Sequence, residues 1–269
     1  MGRTSGIGLL AFALVALGVT GASAASAAAP HWSYCGKAVP KNGGAYSDKN
    51  CSVAAEPGHG KYEILSGEGK KPLKGKATGR TRVIVAIPEL IEVHIECEKA
   101  SFTGHPTGAS GITQARFGFS KCRWQEGACD AVETEALSGH LGWLNAGKEE
   151  AGFSLTSEKL PGSGLIAEFN CEEGVKFRIT GAFIVGIGPA GAGPSKSHTL
   201  TGQVGEYLGE PSPGDKPVVN PPAFEEEAVG TLQTEFAGPE TEGEFEPEGG
   251  IPSGLEGTWA LTGEALAVN

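Results

Sequence analysis

Six cysteines that all follow a secretory-type leader constrain this chain more than any other feature. The leader, residues 1–24, has Arg3 near its start and an apolar segment from Ile7 to Val19. A small-residue cleavage pattern, Ala22-Ser23-Ala24, follows the apolar segment, as in a signal peptide. The segment is shorter than the roughly 20 residues that cross a bilayer as a helix. We therefore expect a secreted protein, extracellular or associated with the cell envelope, with no transmembrane segment in the mature chain.

The cysteines are expected to form a structural disulfide framework, because disulfides persist in that oxidising compartment. Six cysteines allow 15 connectivities, and the sequence does not exclude any of them. Local context favours three pairs: Cys35 with Cys51 around a turn-rich segment, Cys122 with Cys129 in a predicted hairpin, and Cys97 with Cys171, which both end strand patterns. There is no CxxC pair and no histidine at ligand spacing from two cysteines, so no metal ligand is predicted.

Strand patterns recur along the chain, whereas no window has the apolar spacing of an amphipathic helix. Apolar and polar residues alternate in four segments: Ile91–Cys97, Ala115–Phe119, Leu165–Cys171 and Val175–Ile179. Such alternation is typical of an antiparallel sheet with one buried face. We predict an all-β fold, an antiparallel β-sandwich or partly closed barrel stapled by disulfides, with few or no helices beyond the signal peptide.

Charge is unevenly distributed along the chain, which has a net charge of −11. Residues 25–82, the predicted Gly/Lys-rich N-terminal region with the first disulfide, have a net charge of about +6. Residues 83–205 are the predicted β-sandwich core. Residues 206–269 are expected to form an acidic, Pro/Gly-rich linker and C-terminal strands. The basic end could bind an anionic wall polymer and the acidic tail could bind cations, but an acidic surface that maintains solubility is the commoner explanation.

Known catalytic and cofactor motifs give no site. A GxGxxG string, Gly186–Gly191, is interrupted by Pro189, so the helix N-terminus that would bind a dinucleotide pyrophosphate is not expected. No nucleophile elbow, P-loop, HExxH or EF-hand pattern is present. The lysines lack the aromatic interleaving of a nucleic-acid-binding surface. We therefore predict no catalytic residue, no cofactor-binding residue and no nucleic-acid partner.

Three residues form a speculative surface site. His94 and Glu96 share the polar face of a predicted strand, where they could face a metal or a substrate, although charged strand faces are usually only solvent-exposed. Trp124 lies in the predicted hairpin between two cysteines, where its ring either stacks on a sugar or packs over a disulfide.

Glu133 and Glu135 share one face of another strand and could form the acid pair of a glycosidase.

Several motifs together resemble a family of exported, uncharacterised β-rich proteins of high-GC soil actinobacteria. The resemblance covers most of the mature chain to about Gly205, and the matching segments are Tyr34–Lys37, Gly44–Asp48, Cys51, Gly60–Glu63, Ile95–Cys97, Phe119–Cys122, Cys129, Leu137–Gly142, Phe169–Cys171 and Val175–Gly181. It implies secretion and a β-rich fold, and it transfers no functional residue.

These observations favour a secreted, non-enzymatic structural or ligand-binding protein without a cofactor. An envelope polymer or a carbohydrate is the candidate partner. The alternative is an extracellular carbohydrate-active hydrolase, whose acid pair the sequence does not identify.

Overall fold

Antiparallel strands account for nearly all the regular structure of the protein. The computed structural model describes residues 28–67, 71–85, 93–125, 127–202, 224, 232–238, 245 and 250–269. The predicted signal peptide and most of the acidic C-terminal linker lie outside these residues, as do Ile91 and Glu92 of the first predicted strand. Within the described residues, no helix is long and apolar enough to cross a membrane.

The described residues contain sixteen strands, and every strand pairing among them is antiparallel. The strands are β1 (Trp32–Lys37), β2 (Tyr62–Ser66), β3 (Leu73–Ala77), β4 (Thr81–Val85), β5 (Val93–Thr107), β6 (Gly111–Trp124), β7 (Gly127–Cys129), β8 (Val132–Glu133), β9 (Leu137–Asn145), β10 (Glu150–Ser157), β11 (Leu165–Asn170), β12 (Lys176–Thr180), β13 (Ala182–Gly188), β14 (Ser195–Gly202), β15 (Gln233–Ala237) and β16 (Ile251–Val268). Two 3-10 turns, Ala146–Lys148 and Glu172–Gly174, join strands. The predicted all-β fold is confirmed.

Three long strands, β5, β6 and β16, are shared by two closed paths of strand pairing. The first path runs β3-β5-β6-β9-β10-β13-β14-β16 and closes where β16 pairs with β3. The second path leaves the other half of β6 through β7 and β8. Backbone hydrogen bonds join this segment to β11, and the path continues through β12 and β15 to β16, then through β4 to β5. Each path encloses apolar side chains of one continuous core.

The inside–outside alternation of β5 is interrupted between the two paths. Cys97 and Ala100 are both buried, and the two residues between them, Glu98 and Lys99, are both exposed. The alternation of buried and exposed side chains on the partner strand β6 is interrupted at the same place, where Lys121 has a positive φ of 54°. Because side chains on a strand alternate between faces, such a break is needed to expose two successive residues. It places Glu98, Lys99 and Lys121 together on the outer surface.

Four of the six cysteines form a row across neighbouring segments. Cys122 directly faces Cys97 on one side and Cys129 on the other, and Cys129 in turn faces Cys171. The disulfides are Cys35–Cys51, Cys97–Cys122 and Cys129–Cys171. Of the three pairs that local sequence context favoured, Cys35–Cys51 is confirmed, and Cys122–Cys129 and Cys97–Cys171 are wrong. Pairing Cys122 with Cys129 would leave Cys97 and Cys171 at opposite ends of the row, too far apart to bridge.

Candidate functional site

The outer face of β3, β4, β5, β6, β8 and β16 is cationic, although the whole chain is acidic. Its residues lie side by side across the strands, and we call this surface the cationic face. Among the residues whose side chains are described, eight cations lie on it, Lys74, Lys76, Arg80, Arg82, Lys99, Arg116, Lys121 and Arg123, with four carboxylates, Glu96, Glu98, Glu133 and Glu256. The basic N-terminal region supplies four of the cations, and β5 and β6 supply the others.

One half of this face is a charge ladder, the row Glu256, Arg82, Glu96 and Arg123, in which opposite charges alternate across four strands. The Glu96 carboxylate lies 3.2 Å from Arg82 Nε and 2.6 Å from Arg80 Nη1. Arg82 Nη1 is also 3.7 Å from the Glu256 carboxylate. Burial acts to raise the pKa of Glu96, but the hydrogen bonds and charges of both arginines outweigh it and lower the pKa. The ladder is therefore largely neutralised by its own ion pairs.

The other half of the face contains a groove with a volume of about 660 Å³. Its floor is a single register row of four strands, with Lys76 on β3, Ser101 on β5, Gly118 on β6 and Glu133 on β8. Lys99 and Ser120, which face each other, form the neighbouring row and also line the groove. Glu98 and five apolar residues complete the lining: Ala77, Ala100, Phe119, Ala131 and Val132. The groove thus combines an open floor with hydroxyl groups and charges at its sides.

Gly118 keeps the middle of the groove floor open. A Cβ at this position would lie 2.7 Å from the hydroxyl oxygen of Ser101, which is closer than side-chain atoms pack. A side chain at position 118 would therefore displace the Ser101 hydroxyl and narrow the groove. Because Gly118 has none, the floor stays open between Ser101 and Glu133.

The charges in the groove are only partly compensated. Glu98 forms an ion pair with Lys121, with its carboxylate 3.1 Å from Nζ, and this contact lowers the pKa of Glu98. Within the described part of the chain, Lys76, Lys99 and Glu133 form no ion pair, although all three line the groove. The groove therefore presents charges that a bound molecule can meet without breaking an internal contact.

The structure does not bring the speculative surface site together. Trp124 directly faces Ile95 on β5, so it lies on the inner face, whereas His94 and Glu96 lie on the outer face. Its ring packs 5.5 Å from Phe177 and 6.1 Å from Phe236, centroid to centroid. Trp124 therefore packs inside the protein, as in the second of the two alternatives. It packs against these aromatic rings, whereas the prediction was packing over a disulfide.

The acid pair considered from the sequence also separates. Glu133 lines the groove, whereas the Glu135 carboxylate lies 2.8 Å from Lys159 Nζ outside it. That contact lowers the pKa of Glu135.

Sequence reasoning missed Lys76, Lys99 and Ser101, since these residues meet only through strand register. The one local signal is the pair of successive charged residues, Glu98 and Lys99, that interrupts the alternation of β5.

Among the residues that the structure describes, no group of histidine, cysteine, aspartate and glutamate side chains is arranged to hold a metal ion. Comparison of the chain with models of protein families, with curated proteins and with solved structures found no match. The resemblance to exported actinobacterial proteins thus stays a prediction. The chemistry of the groove is the remaining guide to function.

Proposed function

We propose that this is a secreted, non-enzymatic binding protein of the extracellular space or cell envelope, whose groove binds a polyanionic glycan. The observation that supports the proposal is the presence of two uncompensated lysines, Lys76 and Lys99, in a groove on the cationic face of an acidic protein. Opposed charges between a surface and its partner accelerate association and select against wrong partners.

The groove suits an oligosaccharide for a second reason. Lys76 and Lys99 occupy diagonal positions on neighbouring strands, where side chains start about 7 to 8 Å apart. The hydroxyl groups of Ser101 and Ser120 lie beside them in the same two rows. Lysine ammonium groups are point charges that donate hydrogen bonds to carboxylate or phosphate oxygens without a fixed geometry. Hydroxyls beside them can bond to the sugar hydroxyls of the same chain.

The proposal is tested by titrating the mature protein with three probes, an oligomer of carboxymethyl chitin, neutral chitin of the same length, and inorganic polyphosphate. We expect the two polyanions to bind, with affinity falling steeply between about 20 mM and about 500 mM sodium chloride because salt screens exposed charges. The neutral oligomer should bind at least about tenfold more weakly, since it has no anionic group to pair with the lysines. Failure of both polyanions to bind would overturn the proposal.

The matched variants are two double substitutions with the same change in net charge. Lys76→Ala with Lys99→Ala should weaken polyanion binding by about tenfold, since an exposed ion pair contributes up to about 1 kcal/mol. Lys41→Ala with Lys148→Ala removes two exposed lysines from other surfaces and should change binding by less than about twofold. Equal losses in the two variants would mean that only net charge matters, and the groove would not be the site.

A hydrolase is the second candidate, since two carboxylates, Glu98 and Glu133, line the same groove. A glycosidase acid needs a raised pKa to hold its proton at neutral pH. The ion pair with Lys121 instead lowers the pKa of Glu98, which favours binding over hydrolysis as the proposal. Release of reducing ends from carboxymethyl chitin, lost in both Glu98→Gln and Glu133→Gln, would make the hydrolase the better proposal.

A further inference from the structure

The groove contains uncompensated charges of both signs, and this limits the kind of polyanion that fits it. Lys76 and Lys99 lie on β3 and β5, and Glu133 lies on β8 at the opposite side. A ligand that is anionic throughout would place negative charge against Glu133. A ligand that also has a cationic group at that point would instead satisfy all three side chains.

The spacing of these charges is set by the sheet. Lys76 and Glu133 are the two ends of the floor row and are separated by Ser101 and Gly118. Three interstrand spacings place their backbones about 14 Å apart. Because Gly118 has no side chain, nothing on the floor bridges the two charges. Because the two charges start on backbones this far apart, an oligomer can contact Lys76 and Glu133 with groups on different sugar residues.

The charge pattern also differs from that of the rest of the cationic face. In the charge ladder, arginine and glutamate directly face each other and form ion pairs. In the groove, the residue that directly faces Glu133 is Gly118, and the residue that directly faces Lys76 is Ser101. Lys76 and Glu133 are thus held at opposite ends of the floor row, and neither forms an ion pair within the described residues, whereas Glu98, which also lines the groove, is paired with Lys121.

We propose that the groove binds a zwitterionic glycan, an oligomer that carries carboxylate or phosphate groups together with free amino groups. The anionic groups contact Lys76 and Lys99, and an ammonium group contacts Glu133. This inference rests on the proposed function, since it names the class of polyanion that the same groove prefers.

The test compares two oligomers that differ only in the amino group, carboxymethyl chitosan with free amines and carboxymethyl chitin, its N-acetylated form. Titrations are made at about pH 5.5, where the amines are protonated and side-chain carboxylates with ordinary pKa values are still ionised. A site that senses only net charge binds the amine form more weakly, because that oligomer is less anionic. We expect the opposite order, with the amine form bound about two- to fivefold more tightly through one exposed ion pair.

Glu133→Gln should remove this preference and make the amine form the weaker ligand, while binding of the N-acetylated form stays the same or improves. Glu150→Gln, the same change on β10 outside the groove, should leave the preference intact. If the N-acetylated form binds as tightly as the amine form or more tightly, the zwitterion inference is wrong and the polyanion proposal stands. If neither oligomer binds and polyphosphate also fails, the polyanion proposal itself is wrong.

Discussion

In the charge ladder, the Glu96 carboxylate contacts Arg82, and it also pairs with the nearby Arg80, so these charges are compensated. In the groove, which shares β5 and β6 with the ladder, Lys76 and Lys99 are left without an ion pair within the described residues. Both surfaces have similar residue types on the same face of the same sheet. The difference between them is which residues directly face each other across the strands, so charge composition alone does not distinguish a structural surface from a binding surface.

The largest expected effect comes from converting the groove into a second ladder. Ser101→Glu places a carboxylate directly opposite Lys76 and two positions from Lys99, where it can neutralise both lysines. We expect binding of carboxymethyl chitin to fall by more than about tenfold, from lost ion pairs and added repulsion. Ser101→Gln, which is similar in size and uncharged, should reduce binding by less than about threefold. Equal losses in the two variants would show that bulk, and not charge, controls the groove.

The converse change removes a carboxylate from the charge ladder. Glu96→Gln removes the carboxylate that pairs with Arg80 and Arg82, so Arg80 becomes available to an anion, whereas Arg82 keeps its contact with Glu256. We expect polyanion binding to increase by about two- to threefold, and the free energy of unfolding to fall by about 1 kcal/mol or less. Thermal unfolding and titration of the same sample measure both effects. Glu56→Gln is the control for net charge, and a similar gain in that variant would contradict a local effect.

The ladder should also respond to acid. The folded pKa of Glu96 is lowered from 4.5, so its ion pairs stabilise the fold fully above that pH. As pH falls below about 4.5, the unfolded chain takes up a proton more readily than the folded chain, and this stabilisation is lost. In Glu96→Gln, the fall in Tm between about pH 4.5 and pH 3 should therefore be shallower. An unchanged slope would mean that the ladder contributes nothing to acid stability.

The smallest expected effect lies outside both surfaces, at His198 on β14. Its side chain is buried, Nε2 lies 3.0 Å from the Ser195 carbonyl oxygen, and burial lowers its pKa below 6.5. Below about pH 6.5 the unfolded chain protonates this histidine first, so stability falls as pH falls. His198→Gln should flatten the Tm profile between about pH 6.5 and pH 5.5 and leave the Glu96 region unchanged. A flattened lower region would show that the two groups are coupled.

Alternation of apolar and polar residues predicted four segments that fall in strands β5, β6, β11 and β12. The segments that include Phe117, Phe169 and Phe177 are strands of the sheet, and these rings are fully buried in its core. Such patterns depend only on neighbouring residues, because side chains of a strand alternate between faces. They predict an all-β fold, but they contain no information on which strands pair.

The groove depends on pairing, and for that reason it was not predicted. Lys76, Ser101, Gly118 and Glu133 come from four strands and form a row only because of the register between them. Register also separates the residues of the speculative surface site, because Trp124 shares a face with Ile95 and not with Glu96. A shift of register by one residue would move every side chain to the other face. The proposed binding groove is thus specified by long-range contacts.

The row of four cysteines has a consequence for how the chain tolerates the loss of one of them. Cys97, Cys122, Cys129 and Cys171 follow one another across the strands, and only neighbours in the row are within bridging distance. In a row of four, only one set of disulfides pairs every cysteine with a neighbour, and this set is the one observed. Replacing either end cysteine leaves a row of three, in which the free thiol can attack the disulfide at the middle residue and exchange one pairing for the other. An even row therefore defines one covalent isomer, whereas an odd row allows two.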